Sequence, residues 1–100
     1  MSLPIFWTPE ARADLREARL WYEERRAGLG GRFVGAVGQT LDAMADNPLQ
    51  FAVLHRNIRR ARVRGFPYGL FFIIETDRVV VIACFHASRN PARWHLRGDL

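Results

Sequence analysis

Five arginines fall within nine residues of one another and form the densest group of like charges in the chain. They are Arg56, Arg59, Arg60, Arg62 and Arg64. A guanidinium group binds phosphates and carboxylates through paired hydrogen bonds. The cluster therefore suits an anionic partner, which is either a nucleic acid or an acidic protein. The competing interpretation is a solvated strand face that binds no partner.

The distribution of charge supports a partner that contacts the second half of the chain. All fifteen cationic side chains are arginine, and the formal net charge is +5. Residues 1–50 hold six arginines against seven acidic residues, whereas residues 51–100 hold nine against three. The basic character is thus confined to residues 51–100, which is where we expect the anionic partner to bind.

Three further side chains in this half are suited to proton transfer or phosphate binding. His86 follows an apolar run, and its imidazole is a candidate acid or base near pH 7, or else a structural hydrogen-bonding group. Tyr68 supplies a hydroxyl, although its place after Phe66-Pro67 favours packing in a turn. Arg89 is a candidate for pairing with a phosphate or a partner's carboxylate, or for holding the adjacent turn.

No metal or cofactor is predicted. His55 and His95 have no acidic or cysteine neighbours at metal-ligand spacing. The glycines of residues 28–31 connect two predicted helices instead of following a strand, which argues against a phosphate-binding loop. The single cysteine, Cys84, lies within a strand-like run and is predicted to be a small buried apolar residue.

The length predicts one domain covering residues 1–100. There is no run of eighteen apolar residues and no signal-peptide pattern. We therefore expect a cytoplasmic protein with no membrane partner.

The first half of the chain predicts a short edge strand and a helical hairpin. The strand is Leu3 to Trp7. Thr8 followed by Pro9 predicts the start of the first helix. Gly28 ends that helix in a left-handed conformation, and a second helix follows from about 29 to 46. Apolar residues at helical spacing predict the buried faces. They are Ala11, Leu15, Ala18 and Tyr22 on the first helix, and Phe33, Val37, Leu41 and Met44 on the second. Gly35 and Gly38 are expected to allow another backbone to approach closely.

The second half predicts three consecutive strands at about residues 58–64, 70–74 and 79–85, after an irregular segment at 49–57. A short turn or helix follows Pro91. The resulting order is β-α-α-β-β-β. It indicates an α+β fold in which the helical hairpin packs on one face of a small antiparallel-rich sheet.

The last two strands are apolar on both faces. Strict alternation predicts that Val79, Val81, Ala83 and Phe85 share one face. The helices can cover only one side of the sheet, so the other side, which carries Phe71 and Ile73, is expected to be bare. An apolar patch of that size is typical of an interaction surface, and we expect the free chain to self-associate. Trp94 is predicted to be an anchor at the core or its edge.

Three features of residues 58–94, taken in order, resemble the ParE/RelE toxin superfamily of type II toxin-antitoxin systems. They are the arginine-rich strand, the turn Phe66-Pro67-Tyr68 and the ending HASRNPARW at residues 86–94. The ending is most similar to the ParE-type branch, often named plasmid stabilisation proteins. The resemblance implies a small basic toxin held inactive by an antitoxin whose C-terminal segment wraps it.

The resemblance leaves the target open between two chemistries. RelE-like members cut mRNA on the ribosome without a metal, whereas ParE-like members are associated with DNA gyrase. The chain has no lysine for any role that RelE-like enzymes give to that residue, and Gly69 stands where ParE-type sequences often carry arginine. Because the ending is most similar to the ParE-type branch and the chain lacks lysine, the resemblance implies gyrase inhibition by protein binding. The alternatives are a ribosome-dependent mRNA endoribonuclease and a degenerate stabilisation protein without toxicity.

The candidate residues follow from these alternatives. For a nuclease, the candidate catalytic residues are Arg62, Arg64, Tyr68, His86 and Arg89. For binding of antitoxin or target, the candidates are Arg60, Arg62, Arg64, Phe71, Ile73, Arg89 and Trp94.

Overall fold

Two helices pack against one face of a five-stranded sheet in the computed structural model, which describes residues 2–88 and 91–98. The elements are β1 (Ile5–Trp7), α1 (Pro9–Arg25), α2 (Leu29–Asp46), a 3-10 turn (Pro48–Gln50), β2 (Val53–His55), β3 (Ile58–Arg62), β4 (Tyr68–Glu75), β5 (Arg78–His86) and α3 (Ala92–Gly98). The strand order is β1-β5-β4-β3-β2, with β1 parallel to β5 and the other neighbours antiparallel. The predicted α+β class and helical hairpin are confirmed. No described helix is long and apolar enough to cross a membrane.

The segment expected to be irregular contains the short strand β2. It pairs with β3 through Val53 opposite Arg59 and His55 opposite Ile58, and the register is irregular between these pairs. The tight connection places Arg56 at a φ of 52°. A strand of three residues is too short to produce a readable alternation, so its sequence gave no signal.

The helical hairpin has the N-cap and the buried faces that its sequence predicts. The Thr8 side chain accepts a hydrogen bond from the Ala11 N–H at 3.1 Å and caps α1. Its buried residues are Ala11, Ala18 and Tyr22, and those of α2 include Phe33, Val37 and Met44. The predicted faces are therefore confirmed.

The close approach of the two helices occurs at Gly30, and the expectation for Gly35 and Gly38 is wrong. A Cβ atom placed on Gly30 would lie 2.7 Å from the backbone oxygen of Arg19, whereas the same atom on Gly35 or Gly38 would meet nothing within 4 Å. Gly30, the glycine at which the helices approach, lies at the start of α2, where the chain has only just turned back on α1. Helix periodicity alone does not show where two helices cross.

Glu23 joins the two helices, and its titration predicts an effect of pH on stability. Its carboxylate accepts hydrogen bonds from the N–H groups of Gly28 and Gly30, at 2.9 and 3.0 Å. These bonds are the main cause that lowers the pKa of Glu23 below its ordinary value of 4.5. A carboxyl group with a lowered pKa stabilises the fold at neutral pH, and the contribution is lost as pH falls through the folded pKa.

We expect Glu23→Gln to be less stable than the wild type in urea denaturation at pH 7, with a difference that shrinks as pH falls below about 4.5. The matched control is Glu24→Gln, which changes the same charge at an exposed position of α1. A Glu23→Gln deficit that is constant from pH 7 to pH 3 would contradict the role of this carboxylate.

A β-bulge in β5 overturns the predicted alternation of that strand. Phe71 pairs with Ala83 and Phe72 pairs with Val81, so Ile82 is an extra residue in β5. Val79 and Val81 pack under the helices, but Ala83 and Phe85 belong to the core on the opposite face. The prediction that these four residues share one face is therefore wrong. One inserted residue moves every later side chain to the other side of the sheet.

The second face of the sheet is covered by α3, so the expectation of a bare apolar face is wrong. Trp94 stacks on Phe71, with 4.6 Å between ring centroids and 20° between ring planes. Phe71 is only 5 % exposed, and Ile82 and Phe85 are also buried. Ile73 remains half-buried. The expectation that the free chain self-associates therefore loses its basis, because it rested on an uncovered apolar patch.

An ion pair fastens α3 and α1 to the edge of β5. Arg97 donates hydrogen bonds to the Asp14 carboxylate and, at 3.1 Å, to the backbone oxygen of Ile82. Asp14 also accepts a hydrogen bond from the Cys84 N–H at 3.1 Å. A helix of seven residues thus closes the second core with one tryptophan and one arginine. Cys84 is buried, as predicted, and burial raises its pKa to about 12.

Candidate functional site

A groove lies between the β3–β4 turn, the end of β5 and α3, and it contains most of the predicted site residues. Its cavity measures about 330 Å³. The candidates that line it are Arg60, Arg62, Arg64, Tyr68, Phe71, His86 and Trp94. Ile73 lies farther along β4, outside the groove, and Arg89 lies outside the described residues. Three antiparallel strands with short connections bring the groups together because Tyr68 pairs with His86 and Arg62 pairs with Gly69.

The turn between β3 and β4 holds the basic rim of the groove. It closes through a 2.9 Å hydrogen bond from the Val63 N–H to the Tyr68 backbone oxygen, and Gly65 adopts a φ of 85°. Phe66 anchors the turn in the helical core, with its ring centroid 5.0 Å from Tyr22 and 5.1 Å from Phe33. The neighbouring Arg62 and Arg64 are exposed on an anchored turn, so their positions in the chain are fixed while their guanidinium groups remain available.

Gly69 makes room for the side chain of Arg60. A Cβ atom at position 69 would lie 3.0 Å from both Cγ and Cδ of Arg60. A side chain there would force the half-buried Arg60 side chain to shift. The aliphatic part of Arg60 therefore occupies the space above the strand where a larger residue at position 69 would begin.

The hydrogen bonds of His86 determine which of its nitrogens carries a proton. The Ser88 N–H lies 3.1 Å from His86 Nδ1, and a backbone N–H can only donate. Nδ1 is therefore the acceptor, and the neutral imidazole carries its proton on Nε2. In this tautomer the ring offers a hydrogen-bond donor at Nε2, and the lone pair that a general base needs is held by Ser88.

The groove combines an apolar floor with a positively charged rim. Its floor includes Phe71, Phe85 and Trp94, and its described lining contains no carboxylate. Phe85 was missed by the sequence analysis because the bulge at Ile82 carries it to this face. Tyr68 packs its ring 5.1 Å from Phe33 and 5.4 Å from His86, between centroids. Such a surface suits an apolar segment that carries carboxylates.

The described residues contain no cluster of three or more potential metal ligands. The rings of His55 and His95 stack in parallel, with 3.8 Å between centroids and 8° between planes. Two stacked imidazoles direct their nitrogen lone pairs side by side in the ring planes and do not converge on a common point. Their contact joins β2 to α3, and nothing in their sequence spacing indicated it.

The sequence profile described as "ParE toxin of type II toxin-antitoxin system, parDE" matches residues 5–91. The chain belongs to this ParE toxin family. It is therefore a toxin of the type II toxin-antitoxin class, as the resemblance of residues 58–94 predicted. The match includes every element from β1 to β5 and ends before α3.

Solved structures similar to this ParE-family chain include two from toxin-antitoxin systems and one protein dimer. One is the chromosomal ParDE system of P. aeruginosa, with 15 % identity, a TM-score of 0.75 and coverage of 85 % of this chain and 96 % of that one. Another is the RelBE2 toxin-antitoxin complex of Mycobacterium tuberculosis, with 25 % identity, a TM-score of 0.66 and coverage of 86 % and 99 %. The YoeB dimer of Staphylococcus aureus has 16 % identity, a TM-score of 0.59 and coverage of 86 % and 99 %. A search of curated proteins gives no match.

Proposed function

We propose that this ParE-family toxin is held inactive in the cytoplasm by a cognate antitoxin, and that it acts by binding DNA gyrase. The observation that carries the first part is the groove, in which three arginines border an apolar floor. Similar solved structures include a ParDE system and a RelBE2 toxin-antitoxin complex, which supports a partner of the antitoxin class.

The antitoxin segment proposed for the groove is apolar with acidic residues beside its anchors. Phe71 and Trp94 supply the floor, and Arg60, Arg62 and Arg64 supply the rim. Ile73, farther along β4, remains a candidate contact, and Arg89, which lies outside the described residues, remains a candidate on the grounds of its sequence alone. An apolar anchor gives affinity to such an interface, whereas the charges chiefly give specificity and association rate.

The proposal of a protein target, and not an RNA substrate, rests on the proton-transfer groups. A metal-independent ribonuclease must remove a proton from the 2′-hydroxyl and deliver one to the leaving oxygen, and each positioned group contributes about 10²–10⁴-fold. The Nδ1 atom of His86 accepts from Ser88, and the ring of Tyr68 packs against the helical core. The groove thus offers arginines for charge stabilisation without a free base beside them. The choice of gyrase as the target is supported by the association of ParE-like toxins with that enzyme, and the family match itself names no target.

A second candidate function is a ribosome-dependent mRNA endoribonuclease. It is favoured by one specific observation, which is that Arg62, Arg64, Tyr68 and His86 line the same groove. The similarity to RelBE2 at 25 % identity also keeps this alternative open. In that case the arginines would stabilise the phosphorane charge, and His86 would have to exchange its hydrogen bond with Ser88 for one with the substrate.

The experiment that decides between the two compares purified toxin in a gyrase supercoiling reaction and on a programmed ribosome. We expect inhibition of supercoiling and intact mRNA. We also expect His86→Ala to inhibit gyrase as strongly as the wild type does. Codon-specific mRNA cleavage that is lost in His86→Ala would overturn the gyrase proposal and support the nuclease. A chain inactive in both reactions would contradict both and indicate a stabilisation protein without toxicity.

A further inference from the structure

A second cavity, of about 520 Å³, lies between α1 and β5 and differs in charge from the groove. Pro67, Tyr68, Phe85 and His86 line both cavities, so the two are adjacent. The second cavity adds Asp14, Glu17, Trp21 and Tyr22 from α1 and Cys84 from β5. Its volume is in the range of cavities that bind small organic groups.

The hydroxyl of Tyr22 is available to a ligand in this cavity. The Tyr22 residue is 8 % exposed, yet its hydroxyl makes no hydrogen bond with any residue in 2–88 or 91–98. No fully buried side-chain oxygen or nitrogen in that part of the chain lacks a partner. The Tyr22 oxygen is therefore accessible to solvent, and Tyr22 is one of the residues that line the cavity. Burial raises its pKa, so the group stays a neutral phenol that can donate or accept one hydrogen bond.

The carboxylates at the rim of the cavity indicate the charge of that ligand. Asp14 is already paired with Arg97. Glu17 is exposed and forms no ion pair with a described residue, although the chain contains fifteen arginines. An unpaired carboxylate beside an apolar cavity favours a cation with an apolar stem.

The aromatic residues of the cavity already accept guanidinium groups from the chain itself. The Cζ atom of Arg25 lies 3.6 Å from the ring centroid of Trp21, and that of Arg97 lies 4.6 Å from the ring centroid of Phe85. A flat delocalised cation is attracted to the face of an aromatic ring and can also pair with a carboxylate. These two contacts show that guanidinium groups pack on aromatic rings of this wall.

We propose that the cavity between α1 and β5 receives an arginine side chain of the antitoxin, with its guanidinium group against Glu17 and the Tyr22 hydroxyl. The inference rests on the proposed function, because it assumes that an antitoxin binds the adjacent groove. A segment seated in the groove reaches the second cavity across the four residues that both share. The antitoxin would then present carboxylates to the groove and one arginine to the cavity, which fixes its direction along the surface.

The first test uses the free toxin and a small probe. Nα-acetyl-arginine methylamide is titrated while the NMR signals of Trp21, Tyr22 and Cys84 are followed, and the matched neutral probe is Nα-acetyl-citrulline methylamide. We expect saturable shifts with the arginine probe at millimolar concentration, weakened about twofold to fivefold by Glu17→Gln. The control Glu24→Gln changes the same charge on α1 away from the cavity and should bind like the wild type. Equal responses to the two probes, or none to either, would overturn the proposal.

The second test uses the toxin-antitoxin complex. We expect Glu17→Gln to weaken the complex about tenfold or more, because the pair is buried there, and the arginine probe to give no shifts once antitoxin is bound. Probe shifts that persist in the complex would overturn the proposal by assigning the cavity to free cations. Loss of antitoxin binding in Arg62 and Arg64 variants with no effect of Glu17→Gln would overturn this inference and leave the proposed function standing. A free toxin that binds the probe but no antitoxin would overturn the proposed function itself.

Discussion

Replacing Trp94 with alanine is expected to lower the free energy of unfolding by about 3–5 kcal/mol, the usual cost of deleting a large buried aromatic side chain. Trp94 is 6 % exposed and stacks on Phe71, and it belongs to the core that includes Ile58 and Phe85. Without the indole ring, Phe71 and its neighbours lose their cover. Urea denaturation followed by circular dichroism measures the change.

The matched control for Trp94 is Leu96→Ala, two residues later on the same helix. Leu96 is 72 % exposed, so its truncation should change the free energy of unfolding by no more than about 0.5 kcal/mol. The comparison separates the packing of α3 from its helix propensity, because both variants introduce alanine into the same element. Equal effects of the two substitutions would show that the second core does not depend on the Trp94 ring.

Reversing two charges at the rim of the groove is expected to weaken the antitoxin complex by about 2–5 kcal/mol, or about 30-fold and more in affinity, where the bound antitoxin buries the pairs, and chiefly to slow association where it leaves them exposed. The variant is Arg62→Glu with Arg64→Glu, both exposed on the anchored β3–β4 turn. Repulsion from acidic residues of the antitoxin adds to the lost pairing. Isothermal titration at several salt concentrations measures both the affinity and its electrostatic part.

The control for that variant carries the same change of net charge elsewhere. Arg26→Glu with Arg32→Glu lies at the connection of the two helices, where both side chains are exposed and outside the groove. We expect its antitoxin affinity to stay within a few-fold of the wild type. If the two double variants bind equally well, with the same salt dependence, the rim of the groove takes no part in the complex.

The helical half of the fold is readable from the sequence because its signals are local. Thr8 and Pro9 mark the start of α1, and the periodic apolar residues of both helices are buried in the structure or, like Leu15 and Leu41, packed partly buried against its core. The second half depends on contacts between distant residues. The bulge at Ile82 follows from the pairing of β4 with β5, and the cover from α3 depends on one tryptophan of a seven-residue helix. Neither produces a periodic pattern.

The candidate groove is predictable to the extent that strand order is predictable. Once three antiparallel strands are assumed, Arg62 and Tyr68 must lie at the same end of the sheet as His86, and they do. Register cannot show that Trp94 forms the floor or that Arg60 lies over Gly69, because those contacts require the positions of side chains. The hydrogen bond from Ser88 that assigns the His86 tautomer also cannot be predicted from register, because it depends on the position of the His86 side chain.

The ion pair of Asp14 and Arg97 also blocks the part of the β5 edge that β1 leaves uncovered. Strand β1 covers only Val79, Val80 and Val81 of the nine residues of β5, and an uncovered strand is a template on which further strands assemble into aggregates. Beyond β1, Asp14 occupies the Cys84 N–H and Arg97 occupies the Ile82 oxygen. Two side chains thus take the backbone positions that a sixth strand would need, and the sheet ends there.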